Sequence, residues 1–510
     1  MSRIGSGCRH DRTARARFVL LAAILFLMAA VAAPAQPADD FRDVTPIPDT
    51  PAFRRAQELV AAVNANDPER LRAYLTEAIA PSFLQAIPLQ DHLRILQAFY
   101  LQTGGLEIHS ARLYDPPRPG TNAVLIARAR STETWVALVV DVDAAPPRRI
   151  VGAQLLPARP PRDLPSSPRL TDEEIVRELR AYIDRLVARA AFSGTVLLAK
   201  DGRVLMTHAT GIANRDFNAP VDLQTKFNLG SMNKMLTAVA IAQLAGQGKL
   251  SFDDPIGKFL GVDWLDPKIL AEVTIHQLLT HTSGLGSYFN ERYERSSRLL
   301  FREVNDYRPL VLGDTLAFPP GSAWQYSNTG FLLLGAIVEK ASGENYFDYV
   351  REHVTGPTGM THTDCYELDR VNPNLAVGYD PMYGSAGIAY RNNIFDHVLR
   401  GGPAGGGYST VEDLLRFDQA LRGGRLLSPE ILARVWRAYP EWNSPSYGYG
   451  FGVDSTAAGR RVGHSGGFTG ISAHLSMYLD TGYTVAVLSN LSGGAPPVHA
   501  KACQLIEQGR

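Results

Sequence analysis

Cysteine is scarce in this chain. The 510 residues hold three, Cys8, Cys365 and Cys503, and no CxxC. That excludes a disulfide framework and paired-cysteine metal knuckles. Excess charge of either sign is missing too: Lys plus Arg and Asp plus Glu both total 51. With zero net charge there is no electrostatic case for nucleic acid or an acidic partner. Neither HxH nor HExxH occurs, so His276, His353 and His474 have no metal-ligand spacing and no zinc is expected. The glycine-rich run 401–407 is not followed by GxxxxGK[ST]. It is no phosphate loop and reads as a loop beside an active site. No cofactor is expected. No internal repeat is visible, and only one apolar run, 18–33, approaches membrane-spanning length.

That run is informative. Arg3, Arg9, Arg12, Arg15 and Arg17 precede it, and Ala33-Pro34-Ala35 follows as a small-x-small site. Basic, apolar, then small is the layout of a secretory signal peptide. Residues 1–35 are therefore expected to be removed and the mature chain to be secreted or periplasmic. The competing reading is an uncleaved anchor. Cleavage removes Cys8 and leaves Cys365 and Cys503 free to pair in an oxidising compartment; the sequence leaves that pairing open.

The remaining length suffices for two or more domains. Residues 36–50 read as a Pro- and Asp-rich tail. Phe53, Ala56, Leu59, Val60 and Val63 mark a helix starting at Pro51. Asp67 as N-cap with Pro68 at the first helical position starts a second, and 90–101 reads as a third. Strand-like runs follow at 106–114, 122–130, 134–142 and 149–156, with Pro116-Pro117 and Pro119-Gly120 among the turns between them. Helices first, then antiparallel strands, predict an α+β domain over 41–156. Residues 157–170 form a Pro-rich, extended linker. Thr171 and Glu174 make a capping-box pattern, and two strands, 194–200 and 203–209, flank the hairpin signal Asp201-Gly202. Strand candidates return at 448–453, 461–464, 471–479 and 483–488, before a last helix near 498–508. Strands at both ends of 171–510, with helices between, imply one sheet closed by the two ends of that region.

The region is organised around the helix at about 231–247. Met232, Met235, Leu236, Val239, Ile241 and Leu244 leave it almost no polar face, so it belongs in a core. Ser231 and Lys234, three apart in its first turn, share one side. A cation is unfavourable at a helix N-terminus, and a buried ammonium tends to shed its proton. Such a lysine beside a hydroxyl suits a base that activates a serine nucleophile. The plainer reading of S-x-x-K alone is a core helix with a snorkelling lysine.

Two further segments change that balance: Tyr326-Ser327-Asn328 and His464-Ser465-Gly466. Each alone has a structural explanation, as turn and cap residues or as a strand end. Together with Ser231-Met232-Asn233-Lys234, in this order and spacing, they resemble the serine β-lactamase and penicillin-recognising enzyme family. The likeness is to its class C-like branch with related esterases and D-peptidases. The resemblance covers about 175–495. It implies an α/β/α sandwich with a mostly antiparallel sheet plus a helical subdomain. By this resemblance Ser231 is the acylated nucleophile, with Lys234 and Tyr326 sharing the base and proton-donor roles; sequence does not decide which is the base. Beside Lys234 a tyrosinate is expected to be favoured. Asn328, His464, Ser465, Gly466 and Gly467 are the substrate-binding residues. The oxyanion hole is implied to be the amides of Ser231 and Gly467. His281 reads as structural. The implied reaction is acyl transfer from an ester, amide or β-lactam carbonyl of a small-molecule or peptide substrate, cell-wall peptides included. His464 stands where other branches carry Lys, which favours an esterase or D-peptidase-like activity. The alternative is a penicillin-binding or sensing protein that acylates without turnover. The preceding domain, through its element order and the phrase VAAVNANDPERLRAYL, resembles the cone-shaped nuclear-transport-factor-2-like domains, which implies an accessory role.

Overall fold

The computed structural model describes residues 40–158, 160–161, 168–384 and 387–510. The expected signal peptide, residues 1–35, lies outside them, as do positions 159 and 162–167 of the expected linker. Among the described residues no helix is long and apolar enough to cross a membrane.

Residues 40–157 build a five-stranded antiparallel sheet with helices against it. β1 (Asp40–Val44) precedes α1 (Pro51–Asn64), α2 (Pro68–Ala78), α3 (Pro81–Ala86) and α4 (Leu89–Thr103). β2 (Leu106–Asp115), β3 (Asn122–Ala129), β4 (Trp135–Val142) and β5 (Ile150–Pro157) follow, in spatial order β1-β2-β3-β4-β5. The Asp67 carboxylate accepts from the amides of Glu69 and Arg70, which starts α2 where the sequence places it. The apolar stripe of α1 packs with Leu125, Leu138 and Val140 of the sheet. β1 corrects the reading of 36–50 as a tail, because its described part pairs with β2 from Asp40↔Asp115 to Val44↔Ala111. Its charged residues masked a strand pattern. Asp43 is buried and takes two bonds from Arg112, at 2.8 and 2.9 Å, so its charge is matched rather than solvated. The sequence also missed α3, six residues without a side-chain cap.

The second region opens with α5 (Asp172–Ala188), whose Thr171–Glu174 capping box makes both of its bonds. β6 (Gly194–Lys200) and β7 (Arg203–Thr210) are joined by Asp201 and Gly202 at φ 51° and 75°, the left-handed pair that a two-residue hairpin requires. Next come α6 (Asn233–Gly246), α7 (Ile275–Leu279), α8 (Asn328–Ser342) and α9 (Val411–Arg422). The chain ends with β8 (Gly452–Thr456), β9 (Gly459–Phe468), β10 (Ile471–Tyr478), β11 (Tyr483–Ser489) and α10 (Ala495–Glu507). The six strands form one antiparallel sheet in the order β8-β9-β10-β11-β6-β7. Within it β11 pairs with β6, so the last strand meets the first, as the sequence implied.

Alternation along the strands divides the side chains between two cores. Leu197, Ala199, Leu475 and Ala486 face α6, α8 and α9. Val196, Leu198, Val485 and Val487 face α5 and α10. The result is an α/β/α sandwich. Cys365 sits in the first core and Cys503 in the second, both unpaired, so the pairing left open by the sequence does not form.

Two strand boundaries differ from expectation. β8 starts at Gly452, not 448, because Gly450 turns at φ 73° and lies against α6, where a Cβ would come within 2.8 Å of the Lys234 carbonyl. β9 runs on through His464-Ser465-Gly466-Gly467-Phe468, text poor in strand formers. Pairing with β10 as far as Phe468↔Ile471 holds it extended.

Candidate active site

Ser231 lies in a single 3-10 turn, Gly230–Met232, that leads directly into α6. The turn is set by Gly230 at φ 51°, whose amide donates to Asn228 Oδ1 at 2.9 Å. Lys234, one turn on, has a side chain with no solvent exposure. Its Nζ lies 3.2 Å from Ser231 Oγ, 2.8 Å from Asn328 Oδ1 and 2.5 Å from the Ala404 carbonyl oxygen. Two of these neighbours only accept. Burial drives the Lys234 pKa well below the ordinary lysine value. A neutral amine spends both N–H bonds on Asn328 and Ala404 and turns its lone pair to the Ser231 hydroxyl. The glycine-rich loop expected beside the site is there, and Ala404 is its contact.

The segment before α8 supplies the second group. Ser327 is the N-cap: its Oγ accepts from the Gly330 amide at 2.8 Å and donates to the Gly286 carbonyl at 2.8 Å. Tyr326 and Asn328 are thereby free of capping. Asn328 points Oδ1 at Lys234 and donates from Nδ2 to Ser287 Oγ at 3.2 Å. The Tyr326 phenol is hydrogen-bonded to the Ser231 side chain, and its ring centroid is 4.8 Å from Lys234 Nζ. Burial raises the phenol above its ordinary pKa, and the bond to Ser231 offsets only part of that. The expected favoured tyrosinate is thus corrected. The same burial that lowers the Lys234 pKa disfavours the ammonium that would have stabilised it. His281 packs its ring 4.4 Å from that of Tyr326, and its Nδ1 accepts from the Ser327 amide at 3.0 Å.

The third segment is the end of β9. His464 is partly buried, and desolvation lowers its pKa to about 3. Its tautomer follows from its partners: Nδ1–H donates to the Ser465 carbonyl at 2.5 Å, and Nε2 accepts from the Tyr447 hydroxyl at 2.8 Å. The imidazole is neutral. Gly466 and Gly467 let the strand lie against the 3-10 turn. A Cβ on Gly466 would collide with the Leu229 carbonyl and stand 3.1 Å from the Ser231 amide nitrogen. A Cβ on Gly230 would stand 2.9 Å from the Gly467 amide nitrogen. All three segments therefore converge on Ser231. Ser465 joins through its carbonyl, opposite His474 in β10.

Sequence reasoning missed Ala404, Ser287 and Tyr447. Ala404 acts through its backbone, which carries no sequence signal. Tyr447 and Ser287 lie in loops whose only hint was adjacency to glycine-rich text.

The profile of the family described as Beta-lactamase matches residues 179–509. "Penicillin-binding protein 4*" of Bacillus subtilis is 32% identical over 328 residues, 62% of this chain and 71% of that protein. "Esterase EstB" of Burkholderia gladioli is 29% identical over 372 residues, 64% of this chain and 93% of that protein. The crystal structure of a penicillin-binding protein from Bacillus halodurans superposes with TM-score 0.56 at 30% identity, covering 65% of this chain and 98% of that one.

Proposed function

This chain belongs to the beta-lactamase family, and on that footing we propose that it is a serine hydrolase working through an acyl-enzyme. The observation that carries the reading is the buried Lys234 amine, 3.2 Å from Ser231 Oγ with its other two contacts on carbonyl oxygens. Ser231 gives its proton to Lys234 and attacks the substrate carbonyl. The oxyanion forms between the amides of Ser231 and Gly467, donors of a kind that contribute about 2.7–4 kcal/mol each. Tyr326, still protonated, gives its proton to the leaving group as the bond breaks, and the proton held on Lys234 restores the phenol. Water then repeats the attack on the acyl group, losing its proton to Lys234, which passes it to Ser231 Oγ as the acyl bond breaks.

The substrate side favours an uncharged ester or amide. A β-lactam presents a carboxylate, and neutral His464 offers no cation to meet it. The likeness to an esterase supports the same choice. The penicillin-binding names of similar proteins favour a second reading, acylation without turnover. Export is supported by the basic–apolar–small order of residues 1–35. Residues 40–157, which lend no group to the Ser231 network described above, have an accessory role.

The test is hydrolysis of p-nitrophenyl acetate and butyrate by the wild type and Ser231→Ala. Steady turnover that falls at least about 10³-fold in the variant supports the hydrolase. A single stoichiometric burst supports the second reading, and equal rates in the two proteins remove Ser231 from the mechanism.

A further inference from the structure

Two aromatic rings outside the proton-transfer network, each a near neighbour in the chain of a site residue, stack on one another. Phe468 ends β9, immediately after Gly467. Phe289 lies two residues beyond Ser287, whose hydroxyl accepts from Asn328. One ring thus comes from the strand that carries Gly467 and the other from the loop that carries Ser287. Their centroids are 5.8 Å apart and their planes 23° from parallel, an offset stack. Phe289 is braced by Tyr288 at 4.6 Å and edge-on by Tyr293 at 4.9 Å, both of which are buried. Yet Phe289 itself is 41% exposed. Single exposed aromatics are ordinary. This one is held in place by a buried cluster and joined to a ring that adjoins the Ser231 turn.

The position within the site identifies what the rings meet. Gly467 and Asn328 flank the acyl carbonyl in the proposed reaction, whereas the leaving group faces Tyr326. By their adjacency to Gly467 and to Ser287, the partner of Asn328, both rings are assigned to the acyl side. Electrostatics point the same way. Among the described residues no carboxylate bonds to Lys234, Tyr326 or His464, and the His464 imidazole is neutral. Resting on the hydrolase reading above, we propose that Phe289 and Phe468 form an apolar clamp for the substrate's acyl group. The site is thereby selective for esters of arylacetic or medium-chain acids over acetyl esters and over acyl groups that carry charge. Packing a ring or chain against the open side of this stacked pair supplies binding that an acetyl group cannot use.

Two measurements test the clamp. The first is the ratio of kcat/KM for p-nitrophenyl phenylacetate to that for p-nitrophenyl acetate. It is expected to favour phenylacetate in the wild type and to fall about tenfold in Phe289→Ala and in Phe468→Ala. Phe289→Leu, which keeps apolar volume, is expected to retain part of the preference, separating loss of the clamp from misfolding. A ratio unchanged within twofold in both alanine variants overturns the proposal. The second is calorimetric titration of ethyl phenylacetate into Ser231→Ala and into Ser231→Ala/Phe289→Ala, which needs no turnover. Binding about tenfold weaker in the double variant supports the clamp even if the wild type proves no faster than Ser231→Ala, in which case only the hydrolase reading falls. Equal binding, or none to either, overturns the clamp.

Discussion

Lys234 has its N–H bonds committed to Asn328 and Ala404, and protonating it would place a cation in a core without a carboxylate partner. The reaction needs the neutral amine, so kcat/KM is low below the Lys234 pKa and rises through it. Burial lowers that pKa, so the rise is expected well below the ordinary lysine range, followed by a plateau. Burial raises Tyr326, so the phenol stays protonated across the plateau and the alkaline fall comes above the usual tyrosine range. A pH–rate profile checks both limbs. Lys234→Met, of similar length and no basicity, is expected to cost about 10²–10⁴ in kcat/KM without unfolding the chain, checked by kinetics beside a thermal melt. Tyr326→Phe keeps the ring packed on His281 and removes only the proton. It is expected to lower kcat by about 10²-fold or more with KM little changed.

The close approach of β9 to the 3-10 turn depends on side chains that are absent. Gly466→Ala puts a Cβ into the Leu229 carbonyl, and strand or turn must move apart. The expected outcome is a loss of about 10²–10³ in kcat, the size of one lost oxyanion donor, with circular dichroism unchanged. Wild-type rates from this variant would separate the strand edge from catalysis. The elements that show this geometry were legible to different degrees. Ser231, Lys234, Tyr326 and Asn328 were readable because a three-residue helical spacing and three short segments carry the chemistry in the letters themselves. Caps at Asp67 and Thr171 and the Asp201-Gly202 hairpin were readable because their bonds are local. β1 was not, because burial of Asp43 depends on Arg112, 69 residues away. The Ala404 carbonyl, the neutral state of His464 and the stack of Phe289 on Phe468 were not either. Each arises from packing between distant segments.

Across the whole molecule the turn between β3 and β4 meets helices α5 and α10 at Glu133. Its carboxylate accepts from Arg185 of α5 at 2.8 Å and Lys501 of α10 at 2.9 Å, and from its neighbour Arg128 at 2.9 Å. Burial would raise the Glu133 pKa, but Lys501, Arg128 and Arg185 hold it below the usual glutamate value. A depressed carboxylate stabilises the fold above its unfolded pKa, and the gain disappears as pH falls through the folded one. Two of its partners, Arg128 and Arg185, are well exposed, so the effect is small. Glu133→Gln is expected to lower Tm by about 2 °C or less at pH 7 and by progressively less as the pH falls below the ordinary glutamate range, as read by calorimetry. A difference that stays constant through that fall would mean that Glu133 acts through packing rather than charge.

The most direct measurement of the central claim is the site of covalent capture. Wild type and Ser231→Ala are incubated with an alkyl fluorophosphonate, then weighed intact and mapped by peptide mass. The account predicts one phosphonyl group per wild-type chain, located on Ser231, and none on the variant. Capture at another residue, or equal capture by both proteins, would contradict it.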